Sequence, residues 1–95
     1  MSIVILGGNE CMVRRYKELC EEYGCHAKIF AKPVAGLRDK IGDPDLIVFF
    51  TGTMSHKMLH TAMDRAKGTD IKIARTHSSS IAALRTILDE NVLTA

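Results

Sequence analysis

Residues 45–58 read DLIVFFTGTMSHKM. Five apolar residues in a row, Leu46 to Phe50, stop at a cluster of threonine, glycine, serine and histidine, and a helical pattern begins after it. A short apolar run without alternation belongs to a strand covered on both faces, as in the middle of a parallel sheet. The stretch therefore predicts an α/β fold. It also marks a candidate site, because open α/β sheets bind ligands at the carboxyl ends of their strands.

The same unit repeats on either side. SIVIL (2–6) is an apolar run closed by Gly7-Gly8, and Asn9 is placed to cap a helix carrying Met12, Tyr16, Leu19 and Tyr23 at helical spacing. Gly24 ends that helix, and CHAKIF (25–30) alternates as a second strand. Pro33 is expected to open a short helix, VAGLRDKI, closed by Gly42. Beyond the quoted stretch, Met58, Leu59, Ala62, Met63 and Ala66 form a helical stripe ending at Gly68. IKIAR (71–75) is a fourth strand, and THSSS leads into a last helix with Ile81, Leu84, Ile87 and Leu88 inward. The order β-α-β-α-β-α-β-α predicts four parallel strands joined by right-handed crossovers. The expected fold is a small three-layer α/β domain of Rossmann-like or flavodoxin-like type, a single domain over residues 1–95.

Composition narrows the function. With 95 residues the chain holds one modest core. A formal net charge of +2, with thirteen Lys and Arg scattered among eleven acids, argues against nucleic acid or a membrane surface as partner. The longest apolar run is far short of the roughly 20 residues of a membrane helix. The N-terminus carries no basic leader, which predicts a cytoplasmic protein. Cys11, Cys20 and Cys25 have no C-x-x-C spacing, and Cys25-His26 lacks a second ligand pair, so all three read as free thiols.

In a parallel sheet of this order every strand-to-helix corner lies at one edge. The corners are Gly7-Gly8-Asn9, Ala31-Lys32-Pro33, Thr51 to His56, and Arg75 to Ser80. The expected ligand-binding residues are Gly7, Gly8, Asn9, Arg14, Thr51, Thr53, Ser55, His56, Arg75, His77, Ser78, Ser79 and Ser80. Gly7-Gly8 lacks both G-x-G-x-x-G and the phosphate-loop GK[ST], so neither a dinucleotide nor a nucleoside triphosphate is indicated. His56 and His60 stand four residues apart, yet HKMLH lacks the Glu of the metalloprotease helix. His77 follows the fourth strand and could face His56 across the edge; these two are the candidate metal ligands. Each residue also has a plainer role: turn glycines, capping serines, surface histidines.

ILGGN (5–9), DLIVFFTGTMSHKML (45–59), and AKG (66–68) with IARTHSSSIAAL (73–84) resemble the bacterial domain-of-unknown-function family numbered twenty-three twenty-five. The resemblance spans nearly the whole chain. It carries over Gly7, Gly8, Ser55, His56, Ser79 and Ser80, with the Ser-His corner most specific. Longer members show a His-Asp-Gly-Gly-like corner after strand two, where this chain has FAKPVAG (30–36). The resemblance implies a haem protein able to hold dioxygen. On that reading His56 or His77 would supply the imidazole to a b-type haem, there being no C-x-x-C-H, with Met54, Met58 and Phe50 as apolar wall. The alternative expectation is a binding or regulatory module for a small phosphorylated or carboxylated ligand at the same edge, without haem. An enzyme ranks below both, since no nucleophile–base pair with an orienting third group can be named. A homo-oligomer is expected, most simply a twofold homodimer, from the exposed strand edges, Met54, Met58 and Met63 around one helix, and the apolar run Ile87, Leu88, Val92 and Leu93.

Overall fold

The computed structural model describes residues 1–92. Leu93, the last member of the apolar C-terminal run, lies outside the described residues. The strands are β1 (Ser2–Leu6), β2 (His26–Phe30), β3 (Leu46–Phe50) and β4 (Lys72–Thr76). A single 3-10 turn, Glu10–Met12, runs into α1 (Val13–Glu22); α2 (Leu37–Ile41), α3 (His56–Ala66) and α4 (Ile81–Asn91) follow the later strands. All strand pairs are parallel, in the order β2-β1-β3-β4. This is the expected three-layer α/β fold.

β3 is interior, between β1 and β4, and all five of its side chains are buried. Successive residues of a strand point to opposite faces, and the run serves two cores. Leu46, Val48 and Phe50 join Ile3 and Ile5 under α1 and α4. Ile47 and Phe49 join Val4 and Leu6 under α2 and α3. Burying each such aliphatic or aromatic side chain stabilises the fold by about 1.5–3 kcal/mol, so the unbroken apolar run holds both layers to the sheet. The edge strands β2 and β4 mix exposed and half-buried positions and read as weaker patterns for that reason.

Three boundaries differ from expectation. β2 begins at His26, one residue after Cys25. β4 is one residue later, Lys72 to Thr76. The second helix begins only at Leu37, and Pro33 does not open it. Gly36 sits at its N-cap with φ +70°, a left-handed conformation that breaks any helix entering from Pro33. Residues 33–36 are instead a loop at the carboxyl edge. At the opposite edge Ser2 donates its N–H to the Asp45 carboxylate at 2.7 Å, tying the amino end of β1 to the turn before β3.

Candidate functional site at the carboxyl edge

The chain leaves β1 toward β2 on one side, and leaves β3 toward β4 on the other. The connections from these adjacent strands therefore diverge, which is the topological switch point where ligands of such sheets bind. Gly7-Gly8-Asn9 and Thr51 to Ser55 flank it.

The corners are interlocked. Gly8 donates its N–H to Thr53 Oγ1 at 2.7 Å, joining the β1 and β3 corners. A Cβ on Gly7 would lie 2.9 Å from the Phe50 carbonyl oxygen, and one on Gly8 would lie 2.9 Å from Tyr16 Cε2. Both glycines have φ near +90°. The pair thus serves close approach as well as a tight turn. Tyr16, fully buried, packs its ring on Phe50 with centroids 5.2 Å apart. Its hydroxyl donates to the Ser79 carbonyl at 2.6 Å and accepts from the Asn9 N–H at 3.2 Å, joining the β1 and β4 corners. Gly52 completes the ring of contacts: a Cβ there would stand 2.6 Å from the His77 carbonyl oxygen and 3.0 Å from its imidazole.

This packing uses groups that the sequence offered to a ligand. The Gly7 N–H goes to the Phe30 carbonyl at 3.0 Å and the Gly8 N–H to Thr53, so this backbone is spent inside the protein. Asn9 Oδ1 accepts from the Cys11 N–H at 2.9 Å as the cap of the 3-10 turn. Thr51 donates its N–H to Thr76 at 2.9 Å. Ser55 caps α3 through the Met58 N–H and Ser80 caps α4 through the Ala83 N–H. Ser78 accepts from the Ser80 N–H and meets its hydroxyl. Arg14 is exposed and pairs with Glu18 at 3.3 Å. Arg75 turns onto the α3 face, its guanidinium 5.9 Å from the Phe49 ring centre and 3.7 Å from Met63 Sδ.

His56, His60 and His77 are exposed. Among the described residues none of the three imidazoles has a hydrogen bond or ion pair, and no three His, Cys, Asp or Glu side chains stand together as a metal site. His56 and His77 occupy adjacent corners, because Phe50 of β3 is in register with Thr76 of β4. Met54 is half-buried against the α2–α3 core and Phe50 lies wholly within the other core.

A cleft opens at this edge between the 33–37 segment and the first two turns of α3. Its volume is about 260 Å³. Pro33, Val34, Ala35, Leu37 and Met58 line it with apolar surface, and Lys57 and Thr61 supply the polar groups. Val34 is 38% exposed. Thr61 donates its hydroxyl back to the Lys57 carbonyl at 2.9 Å, which leaves the hydroxyl oxygen as an acceptor on the wall. Lys57 has no ion-pair partner among the described residues. Sequence reasoning missed this cleft, because it assigned 33–36 to a helix; a glycine at position 36, inside that expected helix, was the signal available.

Two groups away from the edge have displaced pKa values. Burial, with Cys25 and Glu21 nearby, pushes the Cys20 thiol up to about 12. A hydrogen bond to Asp89 raises the Tyr23 phenol above its ordinary value. Cys20 and Cys25 are buried free thiols and Cys11 is exposed.

Fold and edge define a flavodoxin-like α/β domain whose candidate site is formed by strand-to-helix corners. Residues 2–91 match the family described as "Uncharacterized protein conserved in bacteria (DUF2325)", and the chain belongs to that family. Comparison with curated proteins and with solved structures finds no match. Among the described residues no helix is long and apolar enough to cross a membrane.

Proposed function

We propose that the domain is a binding module for a small ligand with an apolar body and one phosphate or carboxylate group, seated in the cleft between residues 33–37 and α3. The cleft itself carries the reading: an apolar wall beside one unpaired lysine, at the carboxyl edge of the sheet. Lys57 lies in the first turn of α3, where the helix dipole also favours negative charge. Thr61 offers its hydroxyl oxygen to a donor on the ligand. At about 260 Å³ the cleft is smaller than the roughly 300–1,000 Å³ of drug-sized sites, so the ligand is a compact acid. The test is titration with a panel of small phosphorylated and carboxylated compounds, followed by amide shift mapping. Shifts should centre on residues 33–37 and 57–61, and Lys57→Ala should weaken binding about tenfold, as for a lost charge-assisted hydrogen bond. Shifts that centre elsewhere, or unchanged affinity in Lys57→Ala, would overturn the reading.

A second reading rests on the two free imidazoles of His56 and His77 on adjacent corners. Iron in a b-type haem takes a neutral imidazole and would supply dioxygen binding. Neither histidine lines the cleft, and the cleft is too small to enclose a porphyrin, so a haem would have to lie between copies of the chain. An absorption spectrum after haem addition separates the two readings: a Soret band lost in His56→Ala or His77→Ala, each still folded, supports this one. A spectrum of free haem alone rejects it.

A further inference from the structure

We infer that the chain forms a twofold dimer through β4, whose outer edge pairs antiparallel with β4 of a second copy to give a continuous eight-stranded sheet. β4 stands at one end of the sheet, with β3 as its neighbour. Lys72 donates its N–H to the Asp45 carbonyl, and Thr76 accepts from the Thr51 N–H. Backbone groups of a strand alternate between its two sides, so residues 72, 74 and 76 face β3. The N–H and C=O of Ile73 and Arg75 consequently point outward, a row of donors and acceptors open to another strand.

Both ends of the sheet have this form, and the side chains choose between them. At the β2 end, His26 donates its N–H to the Met1 carbonyl and Phe30 accepts from Gly7, so Ala27 and Ile29 point outward. Full antiparallel overlap of two copies sets the middle residue of the strand opposite itself, in a non-hydrogen-bonded pair about 4.5 Å apart at Cα. For β2 that residue is Lys28, and two lysines directly opposed block the pairing. For β4 it is Ala74, small and neutral. The same register sets Ile73 opposite Arg75 of the second copy and Lys72 opposite Thr76 of the second copy, so no like charges stand directly opposite one another. The outward residues Ile73 and Arg75 then exchange both backbone hydrogen bonds in each of two symmetric pairs.

Apolar surface adjoins the same edge. Met63 and Ile73 are 37% and 36% exposed, and with Ala66 they line a hollow of about 240 Å³ rimmed by Asp64 and Lys67. Ile73 and Arg75 project on that α3 side, since Arg75 reaches Met63 and Phe49. A twofold axis perpendicular to the sheet brings the two hollows together on one face. Asp64 and Lys67 give each α3 both signs of charge, which suits a surface that must match itself.

Sedimentation of the 95-residue chain at micromolar concentration tests the inference, with the fold of each variant checked by circular dichroism. The wild type should sediment at twice the 10.5 kDa chain mass. Ile73→Lys sets a lysine opposite Arg75 of the second copy at two symmetric positions and should raise the dimer dissociation constant about tenfold or more. Adding Arg75→Glu to Ile73→Lys makes those pairs opposite in charge and should restore the dimer, which a merely misfolded variant cannot do. A monomeric wild type overturns the inference. So does a dimer that Ile73→Lys leaves unchanged, or one that the double variant fails to restore.

Discussion

Replacing Tyr16 with phenylalanine removes one oxygen from the interior and probes the joint between the β1 and β4 corners. The ring stays, so its packing on Phe50 at 5.2 Å is kept and no cavity opens. The 2.6 Å bond to the Ser79 carbonyl is lost, at about 1 kcal/mol for a neutral hydrogen bond. The Ser79 carbonyl and the Asn9 N–H are then left without the hydroxyl. Stranding a buried polar group costs about 1–3 kcal/mol, and the lower end applies because Asn9 is exposed and Ser79 half-buried, within reach of water. The expected loss is about 2 kcal/mol, a fall in melting temperature of roughly 8–16 °C for a domain of this size. Urea unfolding followed by circular dichroism measures it, with an unchanged slope against denaturant showing that the cooperative unit is intact. Tyr23→Phe is the control: its hydroxyl meets Asp89 at the exposed end of α1, and its loss should leave the midpoint near that of the wild type. A Tyr16→Phe midpoint no lower than the control's would show that the hydroxyl does not hold the corners together.

Gly8→Ala should cost about 1–3 kcal/mol, from a side chain at φ +93° and a contact of 2.9 Å with the Tyr16 ring, read as a lowered urea midpoint. Gly52→Ala drives a methyl against the His77 carbonyl at 2.6 Å and should lower stability by a similar amount, about 1–3 kcal/mol, while the exposed His56→Ala should unfold like the wild type. Cys20 binds its proton more tightly folded than unfolded, so its contribution is whole below about 9 and declines as pH rises from there through about 12; the urea midpoint should fall across that alkaline window. In the native protein a thiol reagent should modify exposed Cys11 quickly and Cys20 slowly, as mass spectrometry of the labelled chain will show.

The sheet was legible because its strongest signal was its most constrained element. Leu46 to Phe50 must be apolar at every position to serve two cores, and a five-residue apolar run closed by turn residues fits a strand better than a helix. Strand order could not be read, since the same alternation permits several; the burial of β3 against both β1 and β4 resolves it. The 33–36 loop was misread because proline opens helices often, and the left-handed Gly36 that forbids one there is a tertiary choice. The corners were legible as a place but not in their bonding. That Gly8 would spend its N–H on Thr53, and that Tyr16 would cross to Ser79, follow from strands meeting in space. Tyr16 read as a core aromatic, and nothing local to it told of its hydroxyl's partners.

The corner bonds also span long stretches of chain: 45 residues separate Gly8 from Thr53, and 63 separate Tyr16 from Ser79. Neither can form until β3, and then β4, has docked, because closing loops of that length costs entropy that packed strands must first offset. The carboxyl edge is therefore expected to form late in folding, after the layers beneath it, which φ-values near zero for Gly8→Ala and Tyr16→Phe would show. Stabilising contacts absent from the transition state act on the rate of unfolding, not of folding. On that expectation the corners act as a latch on a finished sheet: loosening them should speed unfolding and leave almost untouched the time the chain takes to fold.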